Sequence, residues 1–474
     1  MRKRLIAIIT VMAGVLTAPA QTTSSPSWPR ALGDLGLANG GIHLIDRMAN
    51  VDNSHVTLHS IGRNFRSGFV WDNDLFFINQ LGHPFQGGLN FNAARNNGFS
   101  FAQSVPFTVA GSLAWEFLGE TERPSINDVI TTTFAGTLFG EGSYRLAKLA
   151  LDDGDTGGRR ILREATAAFL NPLQGLHRLL SGRMWKVKRN GASYSSAEAE
   201  DESCCTVTLS DRYIVAADGE SHGSHHPFVT ISAAYGETAD GESHATPYDF
   251  LAVDGALAFG GGQPVIPRLM VTTRLCSTPV LTKKKTDGEL GLYQFFMYED
   301  TRLGDSLRGP FPFGETASIG PGLIVKSRQA SSRLTIEQRL FGRGVILGSA
   351  ESDYYQCYER HYNMGSGYGA SSTTRLAWKE AVNLQLDAYY LHLYTWRGYE
   401  PRDITTIETN ELNVLGDRSH TRLLKLDMQL QARLTHHCGT ALGATWFLRD
   451  THYKYHPESR KDGYELRAGL SWNF

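Results

Sequence analysis

The sequence predicts a mainly β protein: a transmembrane, outer-membrane-type antiparallel β-barrel of roughly ten to fourteen strands, preceded by a helical insert of about four helices. Three observations predict this fold. Apolar and polar residues alternate with a period of two through much of residues 200–474, apolar residues have helical spacing through residues 83–185, and the N-terminus has the pattern of an export signal. Alternation puts successive side chains on opposite faces of a strand, so one face of a closed sheet can meet lipid while the other meets water.

The first residues predict export. Residues 2–4 are basic, an apolar run follows at residues 5–16, and residues 18–20 have the sequence Ala-Pro-Ala. We expect a signal peptide at residues 1–20 with cleavage after Ala20, because the apolar run is shorter than the ~20 residues that a membrane-spanning helix needs. Residues 21–54 are interpreted as a leader, and residues 55–82 as a first strand and linker.

Composition narrows the classes of function. The 474-residue chain carries 46 Lys and Arg against 48 Asp and Glu, and 41% of its residues are hydrophobic. Because a nucleic-acid-binding protein shows a basic field, this balance predicts no nucleic-acid partner. The five scattered cysteines form neither a zinc pattern nor a disulfide framework. The sequence therefore predicts no metal site and no cofactor.

Residues 83–185 are predicted to be helical, because apolar residues recur there at three- and four-residue spacing. Ser125 and Asp128 fit a capping arrangement at the start of the third helix. Gly136 and Gly140 in that helix allow another helix to pack closely. The four predicted helices are residues 86–97, 104–118, 124–151 and 159–180, the last interrupted by a proline.

Residues 200–474 are predicted to form the barrel, and the last strand is the clearest. A terminal amphipathic strand that ends in Phe resembles the recognition strand of bacterial outer-membrane barrels. This implies the outer membrane of a Gram-negative bacterium as the location, with outer-membrane lipid and the barrel assembly machinery as partners. The sheet must close, because unpaired backbone donors are costly in lipid. The alternating residues of this strand are Tyr464, Leu466, Ala468, Leu470, Trp472 and Phe474.

A series of short motifs runs in a defined order through the helical segment. They are His-Pro-Phe-Gln-Gly at 83–87, Asn-Ala-Ala-Arg-Asn-Asn-Gly at 92–98, Gly-Ser at 111–112, Trp-Glu at 115–116, Gly-Glu at 119–120, Pro-Ser-Ile-Asn-Asp at 124–128, Gly-Glu at 140–141 and Tyr-Arg at 144–145. The series resembles the uncharacterised bacterial "domain of unknown function 3943" family, and residues 360–365 with Gly367 are similar to its barrel portion. The resemblance implies an exported, outer-membrane protein of unknown function.

The same helices are also similar to teicoplanin-resistance-protein-like (VanZ-like) domains. The matching positions are His83, Glu116, Asp128 and the glycines at 136 and 140. The Asp-Lys pair that leads the VanZ-like pattern is replaced here by Gln-Leu-Gly at residues 80–82.

Polar residues in the helical segment are candidates for catalysis. Glu116 and Glu120 are four residues apart, so on one helix they share a face and can act as acid and base, or hold a cation. His83 can shuttle a proton or act as a ligand, and Asp128 can orient it. Arg95 can hold a phosphate or carboxylate through its planar guanidinium. The remaining candidate binding residues are Asn92, Asn127 and Arg145.

Structural roles compete with this interpretation. Asp128 can be a capping residue, and Glu141 with Arg145 is an i,i+4 ion pair. Glu116, Glu120 and Arg95 can form one buried network that fixes the helices.

Three functions therefore stay open. One is a non-enzymatic outer-membrane barrel with the helices plugging the lumen or docking at its mouth. The second is an outer-membrane enzyme that acts on lipid or lipopolysaccharide through the helical polar cluster. The third is a soluble exported binding protein built on a β-sandwich, since its strands also alternate.

Overall fold

A computed structural model describes residues 25–71, 74–187, 204–216, 224–260, 262–283, 285–302, 311–329, 334–355, 360–379, 381–398 and 413–473. The chain divides into two compact units. A β unit contains Glu202–Asp403 and Leu415–Phe474, and a helical unit contains Ala18–Asp201 and Ile404–Val414. The predictions made for Ala20 and Phe474 lie outside the described residues.

Twelve antiparallel strands form one closed barrel, in which each strand pairs with its neighbours in the chain and β1 pairs with β12. The predicted closed antiparallel barrel with an even strand number is confirmed. The strands are β1 (Cys204–Ala216), β2 (Ser224–Tyr235), β3 (Leu251–Ala258), β4 (Arg268–Lys283), β5 (Thr286–Glu299), β6 (Phe313–Gln329), β7 (Leu334–Glu351), β8 (Tyr362–Trp378), β9 (Val382–Tyr394), β10 (Ser419–Arg433), β11 (Cys438–Tyr453) and β12 (Ser459–Asn473).

Along β10 and β12, exposed apolar side chains alternate with buried charged side chains. On β12, Tyr464 and Leu466 are 51% and 56% exposed, whereas Glu465 between them is 1% exposed. On β10, Leu426 is 40% exposed and the adjacent Lys425 only 6%. This polarity is the inverse of a water-soluble barrel, which keeps apolar groups inside.

The helical unit has seven α-helices in the described residues, so the prediction of about four is wrong. None of the helices in these residues combines the length and the hydropathy that a bilayer crossing requires. The helices are α1 (Trp28–Met48), α2 (Leu58–Ser67), α3 (His83–Arg95), α4 (Phe101–Ala114), α5 (Ile126–Ala150), α6 (Gly157–Leu170) and α7 (Pro172–Leu180), with π-helical turns at Ile78–Gly82 and Trp115–Gly119.

Helices α1 and α2 lie where the sequence predicts a leader and a first strand. Pro29 stands in the first turn of α1, where its missing N–H has no cost, and Ala31 and Ala38 bury one face. The β-branched Thr57, which favours a strand, is instead the cap of α2. Thr57 Oγ1 accepts from the backbone N–H of Ser60 at 3.1 Å, and Ser60 Oγ accepts from that of Thr57 at 2.9 Å.

Helices α3 and α5 cross at a contact made of glycines, as predicted for the glycines of α5. A Cβ on Gly87 would lie 2.0 Å from the carbonyl oxygen of Thr132, and one on Gly136 would lie 2.5 Å from Gly87 Cα. One on Gly140 would lie 2.5 Å from Phe91 Cβ. The contacts advance in the same direction along both helices, so α3 and α5 run parallel and their N-terminal ends lie together.

Candidate functional site

The adjacent N-terminal ends of α3 and α5 bring His83 against two carboxylates. His83 Nε2 lies 3.3 Å from Oδ1 of Asp128 and 3.4 Å from Oδ2 of Asp74. The side chains of His83 and Asp128 are 7% and 2% exposed, and that of Asp74 is 28% exposed. One potential ligand atom from each residue lies within 4.8 Å of the other two. We call these three residues the Asp–His–Asp cluster.

Asp128 faces His83 because Glu116 accepts a hydrogen bond that Asp128 would accept in a capping box. Ser125 caps α5 as predicted, since its Oγ accepts from the backbone N–H of Asp128 at 3.4 Å. In a capping box, the Asp128 carboxylate would in turn accept from the backbone N–H of Ser125. That N–H instead donates to Glu116 Oε2 at 2.6 Å. The Asp128 carboxylate is thereby directed to His83.

A chain of buried amides orients the Asp128 carboxylate further. Asn127 Nδ2 lies 3.0 Å from Asp128 Oδ1 and 2.9 Å from Asn79 Oδ1, and it donates to both. Ser125 Oγ donates to Asn127 Oδ1 at 2.7 Å. Asn127 therefore acts on the neighbouring carboxylate through a fixed hydrogen bond.

Glu116 and Glu120 do not share a helix face, which corrects the expectation from their spacing. Glu116 lies in the π-helical turn Trp115–Gly119, and Glu120 follows it in extended conformation with φ −140° and ψ 164°. The helix ends here because Gly119 packs against the Trp115 ring, where a Cβ would come within 2.8 Å. Asn64 Nδ2 donates to the backbone carbonyls of both glutamates, at 3.4 and 3.1 Å.

Arg95 pairs with Glu141, so the predicted network of Arg95 with Glu116 and Glu120 is wrong. Arg95 Nε lies 2.7 Å from Glu141 Oε2, and Arg145 Nε lies 2.8 Å from Oε1 of the same carboxylate. The predicted ion pair between Glu141 and Arg145 is confirmed. Burial of Glu141 opposes its ionisation, but Arg145 and Arg95 outweigh it and hold the pKa of this carboxyl below its ordinary value.

The remaining candidate binding residue, Asn92, also joins α3 to α5. Its Nδ2 donates to Ser143 Oγ at 3.0 Å. Asn92 and Arg95 thus form contacts between these helices, toward their C-terminal ends, whereas Arg145 pairs with Glu141 within α5. Of the eight candidates named from the sequence, the structure brings His83, Asp128, Asn127 and, through Ser125, Glu116 together.

Several fully buried polar groups near these helices have no hydrogen-bond partner within the described part of the chain. The side-chain amides of Gln80 and Asn90 and the hydroxyls of Thr108 and Ser112 are among them. Asn90 follows His83 by two turns of α3, and Gly111 of α4 packs directly on it, since a Cβ there would lie 2.4 Å from the Asn90 amide carbon. An unpaired buried polar group costs about 1–3 kcal/mol. The amide of Asn90 therefore lies within the close contact between α3 and α4.

Sequence reasoning missed Asp74 and a row of polar side chains along α4 and the turn that follows it. Asp74 stands nine residues before His83, outside any familiar ligand spacing, in the acidic segment Trp-Asp-Asn-Asp. A signal for the row was present. Ser104, Thr108, Ser112 and Glu116 follow one another at intervals of four, which on a helix makes a polar stripe within an apolar segment.

Among solved structures, the chain is similar to the NanC porin, with 9% identity over 55% of this chain and 98% of that chain and a TM-score of 0.27. It is similar to the toluene transporter TodX of Pseudomonas putida, with 10% identity over 60% and 92% of the two chains and a TM-score of 0.22. It is similar to the COG4313 outer membrane channel of Pseudomonas putida F1, with 8% identity over 57% of this chain and 95% of that chain and a TM-score of 0.26.

No curated protein sequence matches the chain. The family model described as "Domain of unknown function (DUF3943)" matches residues 68–173. The match spans all three residues of the Asp–His–Asp cluster and both helices of the glycine contact. The resemblance inferred from the motifs of the helical segment is confirmed, whereas the similarity to VanZ-like domains stays a prediction. The similarity to the DUF3943 family therefore covers residues 68–173.

Proposed function

We propose that the protein is an outer-membrane β-barrel protein whose barrel is embedded in lipid and whose lumen is closed by its own side chains. The inverted polarity of the barrel carries this proposal. Large apolar residues face outward from most strands and are 38% to 56% exposed. Full burial of one such side chain stabilises by about 1.5–3 kcal/mol relative to exposure in water. Hydrocarbon around the barrel would cover these side chains and provide that stabilisation. They include Leu209, Ile231, Leu340, Tyr368, Leu386, Leu426, Met428, Leu442, Tyr464, Leu466 and Leu470.

A linked series of ion pairs crosses the lumen. Lys425 Nζ lies 2.6 Å from Glu299 Oε2, and Arg268 Nε lies 3.3 Å from Glu299 Oε1. Arg268 in turn approaches Glu465 Oε1 at 3.8 Å. Because Lys425 is on β10 and Glu299 on β5, five strands away around the barrel, their contact spans the interior. The six members of this cross-lumen series are Lys425, Glu299, Arg268, Glu465, Arg467 and Asp427.

Apolar and aromatic side chains fill another part of the lumen. Met297 of β5, Tyr389 of β9 and Phe447 of β11 belong to one buried cluster. Tyr389 Oη donates to Glu315 Oε2 at 2.7 Å, and Arg343 donates to the same oxygen at 3.0 Å. Residues from facing strands therefore meet, which supports a barrel without a wide resting pore.

Fractionation combined with a heat-shift gel tests the location. We expect the protein in the outer-membrane fraction, released only by detergent, with different gel mobility before and after heating because a closed barrel resists unfolding in unheated sample buffer. Recovery in the soluble fraction with no heat-dependent mobility would reject the proposal and favour a β-sandwich.

The prediction that the helices plug the lumen or dock at its mouth stays a prediction. Planar-bilayer conductance with and without residues 83–185 tests it, and no conductance in either form would remove a pore role.

We propose as a second candidate an outer-membrane enzyme that acts on lipid or lipopolysaccharide. The contact between His83 and Asp128 favours it, because a carboxylate beside an imidazole can hold that ring as a general base. Glu116 would serve as a positioning residue, since its carboxylate is engaged by the Ser125 N–H. Lipid profiles of a deletion strain, compared with Glu116→Gln and His83→Ala strains, test this function. Unchanged profiles in all three strains would reject it.

A further inference from the structure

Two carboxylates converge on a single ring nitrogen in the Asp–His–Asp cluster. One Nε2–H can donate well to only one acceptor, yet Asp74 and Asp128 lie 3.4 and 3.3 Å from it. Both distances exceed the 2.7–3.2 Å of a good N–H···O hydrogen bond. Neither carboxylate therefore makes a good hydrogen bond to this ring nitrogen, although an oxygen of each lies beside it.

The same distances suit a bound cation. In a tetrahedral zinc site with bonds of about 2.0–2.1 Å, the ligand atoms lie roughly 3.3 Å apart. The Nε2 atom of His83 lies that far from an oxygen of each aspartate. Carboxylate oxygens and an imidazole nitrogen are also the donor atoms that such a cation binds in proteins.

The surroundings have the features of a metal centre. The ligand Asp128 is oriented by the N–H of Asn127, as outer hydrogen bonds orient metal-binding carboxylates. Asp74, with 28% of its side chain exposed, puts one side of the cluster in contact with solvent, from which a cation can enter. The ligands reach this arrangement because the glycine contact of α3 and α5 holds His83 and Asp128 at adjacent helix ends.

We propose that Asp74, His83 and Asp128 bind one divalent cation of the Zn²⁺ or Mn²⁺ type, with water completing its coordination. Nitrogen and oxygen ligands without sulfur suit these ions. The proposal is independent of where the barrel resides. It gives His83 and Asp128 a different role from the general-base role of the second candidate function, because Nε2 cannot bind a cation and accept a proton at the same time.

Metal content of the full-length protein tests the site. The protein is purified in detergent, stripped with EDTA, loaded with MnCl₂ or ZnSO₄ in separate samples, and passed through gel filtration before mass-spectrometric metal analysis. Mn²⁺ is the decisive probe, because the cysteine thiols bind it poorly. We expect about one equivalent per chain and a concentration-dependent rise in melting temperature of the helical circular dichroism signal at 222 nm.

Single substitutions separate ligation from folding. Asp74→Asn is the most informative, since this residue is the most exposed of the three, and Asp128→Asn and His83→Gln complete the set. Each should weaken Mn²⁺ binding more than about tenfold while the helical signal is retained. Asn127→Ala should weaken it less, as a positioning residue.

The pair of His177 and Asp34 provides matched controls within the same unit. His177 Nε2 lies 2.9 Å from Asp34 Oδ1, a contact that involves a single carboxylate. His177→Gln and Asp34→Asn should keep the full Mn²⁺ equivalent. The proposal is overturned if the wild-type protein retains no stoichiometric Mn²⁺ or Zn²⁺, or if the Asp74→Asn and Asp128→Asn proteins retain as much as these controls.

Discussion

Glu116 caps a helix to which it does not belong. Its Oε2 accepts from the backbone N–H of Ser125 at 2.6 Å, where the third residue of α5 would ordinarily supply the acceptor. The bond ties the π-helical turn after α4 to the start of α5 and leaves the Asp128 carboxylate to face His83. Glu116, a candidate acid in the sequence, thus determines the orientation of Asp128, another candidate catalytic residue.

Replacing Glu116 should destabilise the helical unit. Glu116→Ala leaves the Ser125 N–H buried without its acceptor, at a cost of about 1–3 kcal/mol. Glu116→Gln should cost less, because the amide oxygen can still accept. Denaturant unfolding followed at 222 nm measures both. Equal stability of the Ala and Gln variants would contradict the capping role.

The contact between α3 and α5 should not tolerate a methyl group at Gly87. The Cβ of Gly87→Ala would meet the Thr132 carbonyl oxygen at 2.0 Å, so the helices must separate, at a typical cost of about 1–3 kcal/mol. Gly62→Ala in α2 is the control, because its Cβ has nothing within 4 Å. That substitution should be neutral or stabilise by about 0.5–1 kcal/mol. Thermal melts at 222 nm compare them, and similar melting temperatures would refute the close contact.

Acid should weaken the helical unit through Glu141. Although burial opposes ionisation, Arg145 and Arg95 place the folded-state pKa of Glu141 below its ordinary value of 4.5. A depressed pKa contributes stability that is present above about pH 4.5 and is lost as pH falls through the folded-state pKa. Melting temperatures between pH 7 and pH 3 should fall at the acid end. In Glu141→Gln they should be lower at pH 7 and fall less with acid, and an unchanged slope would contradict this assignment.

Breaking the cross-lumen series should open the barrel. Lys425→Ala removes a side chain that reaches Glu299 on the facing strand and leaves a buried carboxylate short of one partner, which typically costs about 3–5 kcal/mol. We expect higher planar-bilayer conductance and easier unfolding in detergent. Leu426→Ala, the outward neighbour on β10, is the control and should leave conductance unchanged. Equal conductance of the two variants would show that the cross-lumen series does not obstruct the lumen.

The sequence identifies strands best where only one face is apolar. On β10 and β12 the lumen side is polar, so the alternation is visible from residue types alone. On β5, Phe295 and Phe296 are 1% and 2% exposed, so both faces are buried and the pattern weakens. Residues 55–82 are predicted to include a strand, but Thr57 caps α2 there, a role that depends on its hydroxyl and not on β-branching.

The candidate site could be predicted only in part. His83 and Asp128 stand out as polar residues in an apolar helical segment, but their distance depends on Gly87 and Gly136, which set the crossing of two helices. Asp74 has no such signal, because it precedes the helix that carries His83. Arg95 attracts attention as an anion binder, yet the helix crossing places it beside Glu141.

Spin-label accessibility along β12 tests the lipid-facing barrel most directly. In a cysteine-free background reconstituted in lipid vesicles, labels are placed one at a time at residues 464 to 470, and relaxation by oxygen is compared with relaxation by a water-soluble nickel complex. We predict that accessibility alternates along the strand. Tyr464, Leu466 and Leu470 should be highly accessible to oxygen and poorly accessible to nickel. Glu465 and Arg467 should be either more accessible to nickel than to oxygen or poorly accessible to both. High nickel accessibility at all outward positions would place the outer surface of the barrel in water and contradict the account.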